Sequence, residues 1–162
     1  MSEVLVKKIL GNAVKIEEES YDLYAKAQDK ARLPSSKALL VELAEAELGH
    51  KDKLLAIMQG SASVYWAGVS ELGSPTDEVE DLKIVDYLKD TPLSDDADYP
   101  AILIYAGKRE KMTYEHYNSL ATGPFAKYFP EVSELFSKLA QEELMHKNRI
   151  EREYEEHVLK ED

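Results

Sequence analysis

Cysteine is absent from this chain, which excludes disulfides, zinc–thiolate sites and iron held in a tetrathiolate cage. Long apolar runs are absent too, and nothing approaches the roughly 18 consecutive apolar residues that a helical membrane span needs. The opening residues, MSEVLVKKILGN, lack the basic, apolar and small-residue sections of a secretory signal. A cytoplasmic location is the expectation that follows. Basic charge is also in short supply, with 20 Lys and Arg against 32 Asp and Glu and a formal net charge of −12. That balance disfavours nucleic acid and anionic membrane as partners, because both are themselves negative. Most of the carboxylates then belong to a solvated acidic surface.

What remains is 162 residues, 44% of them apolar, enough for one domain with a sizeable core. The chain is organised around the stretch LVELAEAELGHKDKLLAI, from Leu40 to Ile57. Read at heptad spacing, one face carries Leu40, Leu43, Glu47, His50, Leu54 and Ile57. Such a stripe is what a helix buries in a bundle. Its two central positions are nevertheless a carboxylate and an imidazole, three residues apart and therefore on the same side of the helix. Burying either alone would cost several kcal/mol. A metal ion satisfies both at once.

Three more stripes of this kind occur. The first helix, expected over about 2–31, has the seam Leu10, Ala13, Glu17, Ser20, Tyr24, Ala27 and Ala31. Leu33-Pro34-Ser35-Ser36 breaks it and offers a serine cap for the second helix, expected over 35–59. So short a connection makes the two helices antiparallel neighbours. The third helix, over 98–121 with Pro100 in its first turn, has the seam Leu103, Ala106, Glu110, Thr113, Tyr117 and Leu120. Gly123-Pro124 ends it. The fourth, over 130–158, has Val132, Phe136, Leu139, Glu143, His146 and Ile150. Between the pairs, 61–97 reads as a long crossover. It holds an apolar cluster (Val64, Tyr65, Trp66, Val69), a cap at Ser74-Pro75-Thr76-Asp77 and a short helix from Asp77 to Leu88. The expected fold is an all-α, ferritin-like four-helix bundle, one domain over 1–162.

The two halves repeat. At an offset of 93 residues, Ala13, Lys15, Glu17, Tyr21 and Tyr24 recur as Ala106, Lys108, Glu110, Tyr114 and Tyr117. At an offset of 96, Leu43, Ala44, Glu47, Leu48, His50 and Lys51 recur as Leu139, Ala140, Glu143, Leu144, His146 and Lys147. Each half is a helix with one seam glutamate followed by a helix with a seam Glu-x-x-His. Hairpins duplicated only for packing need not repeat their buried charges.

Antiparallel packing of the hairpins would bring four carboxylates and two imidazoles to one level of one core. Mixed carboxylate and imidazole donors suit a transition metal better than Ca or Mg. Two divalent ions would offset the four carboxylate charges. One Glu from each of two helices, with Glu-x-x-His from each of the other two, is the di-iron or di-manganese carboxylate pattern of helical bundles. The metal ligands expected are Glu17, Glu47, His50, Glu110, Glu143 and His146. Glu47 and Glu143 are the expected bridges, with Glu17 and Glu110 terminal or semi-bridging. Tyr24 and Tyr117, two turns beyond a ligand on the same face, either hydrogen-bond a ligating carboxylate or serve as core tyrosines. His116 lies off the seam and reads as a surface residue. His157 extends the helix-four stripe with Glu153, near the charged end of the chain.

On Glu17 with Tyr24, Glu47-Leu48-Gly49-His50, Glu110 with Tyr117, and Glu143-Leu144-Met145-His146, the chain resembles the rubrerythrin branch of the ferritin-like superfamily. The resemblance covers roughly 3–60 and 98–158. It implies a cofactor of two Fe ions, with Mn possible, and an oxidoreductase acting on hydrogen peroxide or O2 in oxidative stress or iron metabolism. It also implies an unidentified electron donor and a homodimer. Rubrerythrin's rubredoxin domain has no counterpart in these residues. Gly107 and Thr113 flank Glu110 where rubrerythrins place a further glutamate. The resemblance therefore carries the metal site further than it carries peroxide turnover. Iron binding or storage, or a structural metal in a helical interaction module, is the alternative expectation.

Overall fold

The computed structural model describes residues 3–59, 80–89, 93–128 and 130–159. Four long helices account for most of them, and no strand occurs among the described residues. They are α1 (Glu3–Ala27), α2 (Pro34–Met58), α3 (Tyr99–Thr122) and α4 (Pro130–Tyr154). Contacts divide the chain into two compact units, one holding α1 and α2, the other holding α3, α4 and residues 80–89.

In the first unit α1 runs into a 3-10 turn, Gln28–Lys30, and the backbone then extends at Ala31. Leu10, Ala13, Glu17, Ser20, Tyr24, Ala27 and Ala31 are all buried, as are Leu40, Leu43, Glu47, His50 and Leu54 of α2. The leucines drive the hairpin, each contributing about 1.5–3 kcal/mol when fully buried. The start of α2 departs from the sequence expectation. No serine caps it; Leu33 holds the cap position with extended backbone, and Pro34 occupies the first turn. A proline ring already has the helical φ and lacks the N–H that a cap would satisfy, so the helix begins one residue earlier. Ser36 is buried within it.

In the second unit, the Asp98 side chain caps α3 by accepting the Ala101 N–H at 3.0 Å. The helix ends at Gly123, whose N–H donates to Ser119 O at 2.9 Å. A β-carbon at Gly123 would lie 2.7 Å from that carbonyl oxygen, so a side chain does not fit this stop. One helical turn, Phe125–Tyr128, bridges to α4, and Ser133 Oγ donates back to Ala121 O at 2.6 Å. After Tyr154 the helix widens into a π turn over Glu155–Leu159.

The short helix expected from Asp77 to Leu88 is not formed in its described part. Residues 80–84 are irregular, and one 3-10 turn, Val85–Tyr87, follows. The reason is a competition for backbone donors. Leu82 N–H donates to Asn148 Oδ1 at 3.1 Å and Val85 N–H to Glu151 Oε2 at 2.6 Å, so α4 takes the partners a helix would have used. Lys83 adopts a left-handed φ of 56°, which a right-handed helix cannot contain. The apolar cluster Val64, Tyr65, Trp66 and Val69 and the Ser74–Asp77 cap lie outside the described residues.

Candidate metal centre

Each hairpin holds one buried triad. In the first, Glu17 on α1 meets Glu47 and His50 on α2, with one ligand atom from each within 4.8 Å of the others. His50 Nδ1 lies 3.6 Å from Glu17 Oε1. In the second, Glu110 on α3 meets Glu143 and His146 on α4 under the same 4.8 Å limit. Here the His146 Nδ1 neighbour is Glu143 Oε2, at 3.6 Å. None of the six residues is more than 5% exposed.

The local cause is helical register. Glu-x-x-His places both donors on one side of α2 or α4, and the seam glutamate of the neighbouring helix meets them at the same level. The donor set fits a divalent transition metal. Two carboxylates neutralise one +2 ion, and the imidazole supplies a borderline donor that such metals favour. Three ionisable groups gathered away from water are costly without a cation among them. Calcium or magnesium would prefer oxygen throughout.

Tyr24 and Tyr117 are both fully buried. Seven residues along a helix is about 10 Å, but helical side chains lean toward the N-terminus, which carries each tyrosine back toward Glu17 or Glu110. Tyr117 also packs on Phe136 of α4, with ring centroids 5.3 Å apart. Thr113 turns its hydroxyl onto Arg109 O at 3.0 Å. His116 is exposed. His157 Nε2 lies 3.5 Å from Glu153 Oε1 and belongs to neither triad.

A second buried polar cluster escaped the sequence reading. Lys147, wholly buried, places its ammonium 2.8 Å from Asp81, 3.0 Å from Asp86 and 3.2 Å from Glu151. Burial by itself would pull the Lys147 pKa down. Hydrogen bonds to Asp81 and Asp86, with the charge of Glu151, outweigh that and hold it above the ordinary lysine value. A signal was available: Glu143, Lys147 and Glu151 recur every four residues, a charged row beside an apolar seam.

Residues 8–71 match the family model described as Rubrerythrin. The match takes in α2 and most of α1, including Glu17, Glu47 and His50, so the first hairpin is rubrerythrin-like in sequence. No curated protein and no solved structure matches the chain. Among the described residues no helix is long and apolar enough to cross a membrane.

Proposed function

We propose that the whole chain is a rubrerythrin-like, ferritin-like di-metal carboxylate protein in which the buried triad of each hairpin takes one ion. The observation that carries this is the repetition of a buried Glu, Glu, His triad in both hairpins, one of which carries the family match. Glu17, Glu47, His50, Glu110, Glu143 and His146 would hold two Fe ions, or two Mn. When bound, such a pair supplies one-electron steps toward O2 or hydrogen peroxide. The protein's own part is to exclude water and to offer Glu47 and Glu143, beside His50 and His146, as carboxylate donors for that pair. Tyr24 and Tyr117 orient ligating carboxylates through their hydroxyls. The working form is a homodimer in the cytoplasm, an oxidoreductase fed by an electron donor of unassigned identity.

A second reading, iron binding without rapid peroxide turnover, is favoured by one observation. The positions flanking Glu110 offer no further carboxylate: Val85 fills the space at Gly107, and the Thr113 hydroxyl is engaged with Arg109 O. Anaerobic loading with ferrous iron followed by stopped-flow mixing separates the two. Faster oxidation of the bound iron by peroxide than by O2, repeated over many cycles with a reductant, supports the oxidoreductase. Slow single-turnover oxidation by both, with iron retained, supports the binding protein.

A further inference from the structure

The hairpins differ at a repeat-related position next to a candidate ligand. α1 carries Val14 one turn before Glu17, whereas α3 carries Gly107 one turn before Glu110. The notch at Gly107 is occupied by Val85 from residues 80–89. A β-carbon at 107 would lie 2.8 Å from Val85 Cγ1, and Val85 is fully buried. A side chain delivered from another segment thus replaces the one that α1 carries itself.

Polar contacts pin that segment to both helices. Asp86 reaches Lys111 of α3 at 3.6 Å and Lys147 of α4 at 3.0 Å. Asp81 takes a second contact from Lys147, and Asn148 Nδ2 donates to Glu80 O at 2.6 Å. Glu151 joins the two systems, accepting from Lys147 at one oxygen and from the Val85 N–H at the other. The first hairpin is built otherwise. There the repeat-related lysine, Lys51, makes a partly exposed pair with Glu18 at 3.0 Å, and the counterpart of Glu151 is Leu55.

The strap therefore bears on the triad of its own hairpin. Lys147 follows His146 and lies one turn beyond Glu143, so holding its ammonium sets the rotation of α4 that aims both ligands. Val85 seated at Gly107 fixes α3 one turn from Glu110. Donors held in place before the ion arrives lose less freedom when it binds. We propose that Val85, Lys147 and Glu151 are positioning residues for Glu110, Glu143 and His146, and that the two metal positions are consequently unequal, the second hairpin binding its ion more tightly. This rests on the metal-centre reading above.

The test is titration of the apo-protein with Co(II), followed in the visible spectrum, on the full chain. Wild type is expected to bind in two resolved steps, the tighter one lost in His146→Ala and the weaker in His50→Ala. Lys147→Met is expected to weaken the tighter step about 10-fold, a usual size for residues supporting metal ligands, and to leave the other unchanged. Val85→Ala, which touches no charge, is expected to act in the same direction and serves if Lys147→Met does not fold. Folded variants that leave both steps unchanged, or weaken them equally, overturn the strap's role while the metal centre stands. Wild type that takes up no cobalt overturns both.

Discussion

His50 Nδ1 stands 3.6 Å from Glu17 Oε1, so in the first hairpin the imidazole reaches across to the neighbouring helix. In the second hairpin His146 Nδ1 has its 3.6 Å neighbour, Glu143, on its own helix. The same residue types at the same register thus set a carboxylate beside an imidazole in each hairpin. In both, charge-bearing donors are gathered where water is excluded.

That arrangement predicts a stability cost in the metal-free protein. At free metal about 100-fold above the dissociation constant, loading is expected to add about 2.7 kcal/mol to the unfolding free energy. Urea unfolding with and without Mn(II) measures it. Glu47→Ala is expected to remove the part of the increment that comes from the first hairpin's ion; an unchanged increment would remove Glu47 from the ligand set.

Lys147 gives a prediction in pH. Its folded pKa lies above the ordinary value of 10.5, so its stabilisation is complete below 10.5 and is lost as pH rises through the folded value. Lys147→Met leaves Asp81, Asp86 and Glu151 without their shared cation and is expected to cost about 3–5 kcal/mol at neutral pH. The gap between variant and wild type, measured by urea unfolding, stays level up to pH 10.5 and narrows above it. A gap that widens there would contradict the assignment.

Tyr117→Phe keeps the ring packed on Phe136 and removes only the hydroxyl. Stability is expected to fall by about 1 kcal/mol, the usual worth of one hydrogen bond. Oxidation of bound ferrous iron is expected to slow at unchanged iron stoichiometry. An unaltered rate would make Tyr117 a packing residue.

Asp98→Ala removes the α3 cap and is expected to cost about 1 kcal/mol. Asp98→Asn, which keeps an accepting oxygen, is expected to recover most of it in the same unfolding assay. Equal losses in the two variants would mean the carboxylate acts through charge instead.

The four helices are legible in the sequence because burial follows the three-four seam. Leu10, Ala13, Glu17, Ser20 and Tyr24 alternate as α1 requires, and all are buried. The candidate ligands are legible for the same reason, since a charge on such a seam has no other explanation in packing terms. What the sequence conceals depends on distant partners. The stretch from Asp77 to Leu88 has local signals for a short helix, but in its described part Asn148 and Glu151, 66 residues away, take the Leu82 and Val85 donors. Ser35 and Ser36 suit a cap by type, and Pro34 pre-empts them by geometry. Gly107 reads as a missing ligand until Val85 is found in its place.

The central claim is that the buried triads hold metal, and the most direct measurement is metal content by mass spectrometry after purification and anaerobic ferrous loading. Wild type is expected to carry two Fe or Mn per chain. Glu47→Ala combined with Glu143→Ala is expected to carry none while remaining folded. Wild type that holds no metal after loading, or a double variant that holds as much as wild type, would contradict the account.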